Sequence, residues 1–206
     1  MESAEARQSA AGLAGGGGMD KGLSCLDEEL RSRIARQKLF FVGTAPLDGA
    51  GHINCSPKGG DTFRVLGDRE VAYLDLTGSG IETVAHLQEN GRIVVMFCAF
   101  EGGPRIVRLH GRGEVVYPDS PDYPGLLAAF GSLPGARAVI RIAVTRLSDS
   151  CGYSVPRFEY AGPRDTLDQW AEKKGGEGLA AYRESRNARS IDGLAGYRHG
   201  GTGGAA

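Results

Sequence analysis

Through the middle of the chain, apolar and polar positions alternate with a period of two, interrupted by stretches whose apolar residues recur every three to four. "LDEELRSRIARQ" (Leu26 to Gln37) is the first of these: Leu26, Leu30 and Ile34 share one face, and Asp27, Glu28 and Glu29 suit a helix N-terminus. "KLFFVGTAPLDGAGHINCSP" then reads as strand, turn, strand, with turn chemistry at Asp48-Gly49 and Gly51. "REVAYLDLTG" is a further strand. "SGIETVAHLQENG" is a short helix with Ser79 and Glu82 at capping-box spacing and a stop at Gly91. "RIVVMFCAF" and "PRIVRLHGRGEVVY" flank Glu101-Gly102-Gly103 as a hairpin, and "DYPGLLAAFG" is one short helix. In "AVIRIAVTRLSDSCGYSV", Val139, Arg141, Ala143 and Thr145 alternate with Ile140, Ile142, Val144 and Arg146, the mark of a strand. From Pro163 and Asp165 the pattern turns helical through Leu167 and Trp170, breaks at Gly175-Gly176, and resumes in "EGLAAYRESRN".

Six or seven short strands with helices at the margins predict a mainly β fold, a small antiparallel barrel. The helices do not alternate regularly with the strands, and "GSGIET" lacks GxGxxG spacing, so a Rossmann sheet is excluded. The expected organisation is a disordered tail at 1–24, a barrel domain at 25–160, a helical extension at 161–195 and a disordered tail at 196–206. The tails follow from glycine: many of the 33 lie at Gly15 to Gly18 and in Gly200, Gly201, Gly203 and Gly204. The basic cluster Arg183, Arg186 and Arg189 reads as a solvated helix face.

Charge narrows the partners. A net charge of -1 with 24% charged residues gives no global field for nucleic acid or membrane. No apolar run approaches the ~20 residues a bilayer crossing needs, and the N-terminus lacks the order of a signal peptide. Cys25, Cys55, Cys98 and Cys151 are scattered without metal spacing, which fits a reducing compartment, so a cytoplasmic protein is expected. No serine or cysteine nucleophile motif appears, and no catalytic residue is assigned.

The chemistry concentrates in "GHINCSPKGGDTFRVL" (Gly51 to Leu66). Alternate residues of a strand share a face, so Asn54, Ser56 and Lys58 converge on one side. Two readings stand: a strand end with its turn, or a strand edge that meets a phosphate or a flat ring.

The order and spacing of "INCSPKGG", "YLDLTGSG", the helix after it and "RIVVMFCAFEGGPRIVRLHGRGEVV" resemble the pyridoxamine-5'-phosphate-oxidase-like flavoproteins over residues 27–160. The resemblance implies a six- to seven-stranded split barrel of FMN-binding type, a homodimer with FMN in two clefts at its interface, and flavin-dependent oxidoreductase chemistry. It assigns the FMN phosphate and ribityl chain to Asn54, Ser56, Lys58 and the turn Thr77-Gly78-Ser79-Gly80. Backbone N–H groups at a helix start suit an anion, Lys58 adds a charge, and the Thr77 and Ser79 hydroxyls add neutral donors. Ser79 is equally an ordinary helix cap.

The chain departs from the family at two places. Glu82-Thr83 stands where the family has a phosphate-gripping Arg-Lys pair, so charge falls to Lys58, Arg105 or Arg108. Arg105 is the favoured one, standing at the arginine of the family's "RQV" run. "GYSVPRFEYAGPRDTLDQW" replaces the Arg-x-His pair that holds pyridoxal phosphate, which points to a side branch and away from vitamin B6 oxidation. Within the same fold, haem binding or haem degradation is an alternative, with His52, His86 or His110 as axial ligand; so are a deazaflavin-dependent reductase and a non-catalytic carrier. The substrate is not legible.

Overall fold

Chain order runs α1 (Glu28–Ala35), β1 (Leu39–Thr44), β2 (Asn54–Gly59), β3 (Phe63–Gly67), β4 (Glu70–Leu76), α2 (Glu82–Asn90), β5 (Arg92–Cys98), β6 (Ile106–Val116), α3 (Tyr123–Leu127), β7 (Ala136–Ser150) and α4 (Thr166–Arg186). The computed structural model describes residues 23–198, so most of the tails expected at 1–24 and 196–206 lies outside the described residues. Residues that composition assigned to those tails are nevertheless tied down. Leu23 bridges to Leu147, and the Gly196 and Tyr197 amides donate to Ala188 and Asn187.

The seven strands make one antiparallel sheet in the order β2-β1-β5-β6-β7-β4-β3. The sheet curls until its ends meet. Phe40 on β1 and Phe63 on β3 lie second and seventh in that order, yet their ring centroids are 5.2 Å apart. Phe97 of β5 and Tyr73 of β4 complete this aromatic centre with edge contacts of 5.0 and 5.7 Å. Aromatic pairs favour such tilted geometry, and they close the barrel interior. Strand β3 was not separated from its neighbours by sequence pattern; five residues give alternation too little length to register.

Both leading helices bury their stripes in this interior. In α1, Asp27 caps the Leu30 amide at 2.8 Å, and Leu30 and Ile34 point inward. α2 contributes Val84 and Leu87 and stops at Gly91, whose φ of 68° is the left-handed closure that glycine permits. A second cluster forms across β4 and β7, where Leu74 and Val139 meet Tyr123 and Phe130. β4 is therefore buried on both faces, and its one buried charge is conspicuous.

That charge is Asp75, 1% exposed. Its Oδ2 accepts from Arg137 Nε at 2.7 Å, and Arg137 is itself 3% exposed. Arg137 Nη1 also donates to Asn187 Oδ1 (2.9 Å) and to the Gly80 carbonyl (3.2 Å). Asn187 Nδ2 donates in turn to the Gly78 carbonyl at 3.0 Å. Burial pushes the Asp75 carboxyl up, but Arg137 and then Lys58 outweigh it and hold it below the ordinary carboxylate range.

Breaking a buried pair strands the partner's charge, so Arg137→Ala should lower stability by about 3–5 kcal/mol in urea unfolding at neutral pH. The pair's contribution has a defined pH sign. Asp75 is depressed in the folded state, so its stabilisation is present above about pH 4 and is lost as pH falls through the folded value. The deficit of Arg137→Ala relative to the native chain should narrow over that acid range.

Candidate functional site

A cleft of about 1080 Å3 opens between the end of β2 with its turn (58–62), the α1–β1 connection (36–39), the β5–β6 turn (100–102), the extended segment 158–164 and the first turn of α4 (Leu167, Asp168). Leu39, Leu74, Leu76 and Leu133 give it apolar walls, and Lys58 and Gly78 line it too. The extended segment hangs on few ties. The Phe158 amide donates to the Phe100 carbonyl at 3.1 Å and their rings stand 5.3 Å apart. The Tyr160 amide donates to Glu101 Oε1 at 2.9 Å, and Lys38 Nζ lies 5.8 Å from the Tyr160 ring.

Asn54, Ser56 and Lys58 do share one half-buried face of β2, while Cys55, Pro57 and Gly59 face out. They do not reach one point. Asn54 Nδ2 donates to Thr83 Oγ1 (3.0 Å) and Thr44 Oγ1 (3.3 Å), so it is spent inside the barrel. Ser56 Oγ is buried without a hydrogen bond, as are the Tyr73 hydroxyl and Asp75 Oδ1. Lys58 Nζ lies 3.7 Å from Asp75 Oδ1 and is a quarter exposed, at the cleft floor. Burial pushes the Tyr73 phenol well above its usual range, which keeps it neutral.

The turn is held from behind. Thr77 Oγ1 donates to the Gly135 carbonyl and accepts from Arg183 Nε, both at 2.9 Å, so it is structural. Gly78 borders the cleft, and Ser79 is exposed. Asn187 takes the Gly78 carbonyl; in a trans peptide the next N–H points the other way, so the Ser79 amide faces away from Asn187. Arg105 lies in a smaller pocket beside the cleft and pairs with Asp149. Arg108 is on the other side of the sheet, its Nη1 3.1 Å from Ser150 Oγ. Of the eight sequence-predicted residues, Lys58 and Gly78 meet in the cleft.

The expected capping box is not formed. α2 begins at Glu82 with Ile81 as its cap residue, and no side chain caps it. Glu82 folds back on its own turn: Oε2 accepts the Ile81 amide at 3.0 Å and Oε1 the Ile191 amide at 3.3 Å. Gly80 makes the room, since a Cβ there would stand 2.8 Å from Glu82 Oε2. The helix start that the resemblance offered to a phosphate is thus occupied by this chain's own carboxylate.

The histidines stand elsewhere. His86 is fully buried, with Nδ1 2.9 Å from Thr44 Oγ1, and burial holds its pKa below the ordinary range. His52 Nδ1 is 2.6 Å from Asp192 Oδ1, and His110 is half-buried on the outer side of β6. None of the three lines the cleft. Sequence reasoning missed Asp75, Arg137, Arg183 and Asn187. An acid inside "YLDLTG" and an arginine inside "ARAVIRI" were the visible signals. Arg183 left the solvated cluster to which pattern assigned it, and Asn187 gave no signal.

A curled seven-stranded antiparallel half-barrel with flanking helices places the molecule in the split-barrel class. The chain belongs to the pyridoxamine 5'-phosphate oxidase family, whose profile matches residues 26–151. It is 43% identical over 188 residues to the pyridoxamine 5'-phosphate oxidase family protein ustO of Aspergillus flavus, covering 83% of this chain and 75% of that protein. A solved structure of a HupZ variant from Group A Streptococcus superposes with a TM-score of 0.50 at 26% identity, over 61% of this chain and 99% of that one. HutZ, a haem storage protein from Vibrio cholerae, aligns at 17% identity and a TM-score of 0.44, over 62% of this chain and 97% of that one.

Asn187→Ala removes donors and acceptors that are wholly buried and leaves the Gly78 carbonyl without this partner, which should cost about 1–3 kcal/mol in chemical unfolding. His86 adds a pH test of opposite origin to Asp75. Its folded pKa is depressed, so the unfolded chain takes up the proton first and stability should fall as pH drops below about 6.5. His86→Gln should flatten that part of the profile.

Proposed function

We propose that the protein is a flavin-binding oxidoreductase whose cleft receives FMN. One observation carries the reading: a cleft with leucine walls large enough for a ring system, whose partly buried cation is Lys58, beside Gly78, while the other described cations on its rim, Arg36, Lys38 and Arg164, are exposed. Ligand pockets of some 300–1,000 Å3 with mostly apolar walls and few polar groups suit such a cofactor. The residues fit the group in this chain's own manner. Lys58 and the Ser79 amide would hold the phosphate, because Glu82 repels it from the helix start. The flavin supplies the electron transfer when bound; the protein binds it, orients it and keeps water from it.

Haem finds less support, since none of the described histidines lines the cleft. A deazaflavin would sit between the same walls. Freshly purified protein should absorb near about 375 and 450 nm, with FMN released on denaturation and identified by mass; a Soret band near about 400 nm would replace this reading with haem. Lys58→Ala should weaken FMN binding about tenfold or more, for one charge-assisted contact, while Arg108→Ala should leave it near the native value. Equal losses in the two variants would remove Lys58 from the site.

We also propose a homodimer, formed on the outer side of β1, β5 and β6. There Phe41, Val94, Met96 and Ile106 are half-buried, while α1 and α2 both bury their stripes inside. No described helix is long and apolar enough to cross a membrane, and all four cysteines are free, in keeping with a reducing compartment. Sedimentation should give a dimer at micromolar concentration, and Met96→Glu should shift it to monomer. A monomeric native chain would overturn the assembly.

A further inference from the structure

Beside the main cleft lies a pocket of about 160 Å3 whose polar rim is made of guanidinium groups. Arg33 and Arg36 reach it from α1 and the residue that caps it, and Arg105 from the start of β6. Its floor is apolar, with Ile34, Phe97 and Val107. Arg36, Gln37, Glu101 and Gly102 border both spaces, so the pocket opens directly beside the cleft.

Each guanidinium carries five N–H donors, and each spends few of them. Arg33 gives Nε and Nη2 to Glu29 Oε1 at 3.0 and 2.8 Å. Arg105 gives Nη2 to Asp149, and Arg36 gives Nη1 to the Ser32 hydroxyl at 2.8 Å. Arg36 is therefore the one of the three whose described partner is uncharged. Among the described residues Glu101 is the single carboxylate on the pocket's lining, and its Oε1 already accepts the Tyr160 amide. Forked donors over an apolar floor match the two oxygens of a carboxylate.

We propose that this side pocket binds an anionic oxygen group, the carboxylate of a substrate whose remaining part lies in the main cleft. Arg36, on the wall between the two spaces, is the anchor, and Arg105 is the second contact. Glu101 acts in the opposite sense, lowering the pocket's affinity for anions. The substrate assignment rests on the flavin reading of the cleft; the anion site does not. In this geometry the acid is recognised apart from Lys58, so the chain distinguishes its cofactor's phosphate from its substrate's charge.

The test is arginine side-chain NMR on the full chain, titrated with sodium malonate and, separately, inorganic phosphate at constant ionic strength, which fixes the screening length. Saturable shifts of the Arg36 and Arg105 Nε–H signals are expected, with malonate tighter than phosphate. Arg36→Gln should weaken malonate about tenfold, and Glu101→Gln should tighten it about threefold, a gain that misfolding would not produce. Lys58→Gln should leave malonate binding unchanged. No saturable shift, or an equal affinity in Arg36→Gln, would overturn the pocket. Tighter phosphate than malonate would overturn the carboxylate. Bound flavin is read in the same samples: flavin lost together with malonate in Arg36→Gln would make the pocket part of the cofactor seat and sink the separate site. Malonate binding in a chain that never takes flavin would sink the flavin reading and keep the pocket.

Discussion

A buried acid held by a buried base organises this molecule. Asp75 and Arg137 are each nearly without solvent, and an isolated charge in such a place would neutralise or unfold its surroundings. Together they bond at 2.7 Å, and each then reaches a different part of the chain. Asp75 faces Lys58 on β2, and Arg137 faces Asn187 and the carbonyl of Gly80. Three strands (β2, β4 and β7), one turn and the segment after α4 are thereby set in one register. Hydrophobic closure of the barrel through Phe40, Phe63, Tyr73 and Phe97 supplies bulk stabilisation, but it has no comparable directionality.

The same network sets the electrostatics of the cleft. Lys58 has one side toward a fixed carboxylate and the other toward open space, so its charge is partly compensated before any ligand arrives. Glu82 places a second carboxylate where related chains are expected to keep bases, and Gly80 is the residue that lets it do so. On the proposed reading, anion recognition moves off the helix start and onto side chains. That shift explains why a family likeness in backbone order need not carry the family's substrate with it.

Pattern alone made the strands other than β3, their hairpin and the two leading helices legible, because alternation and four-residue spacing are direct records of which face is buried. Asn54, Ser56 and Lys58 were placed on one face for that reason, and they lie on one. Which of them reached the cleft depended on partners far along the chain. Thr44 and Thr83 claim Asn54, and Arg183 claims Thr77. Such pairings join residues 10 to 106 positions apart and leave no periodic trace. The box at Ser79 failed for a local reason, since a glycine before the helix allowed Glu82 to cap its own preceding amide.

Asn187 stands 109 residues beyond the carbonyl it secures at Gly78. A chain emerging at about 5–20 residues per second brings the two together roughly 5–20 s after the turn itself has appeared. During that interval β5, β6 and β7 emerge and complete the sheet while the turn lacks its brace. Assembly order is therefore written into the fold: the scaffold precedes the finished turn, and a ligand that needs that turn is admitted late in synthesis or after it.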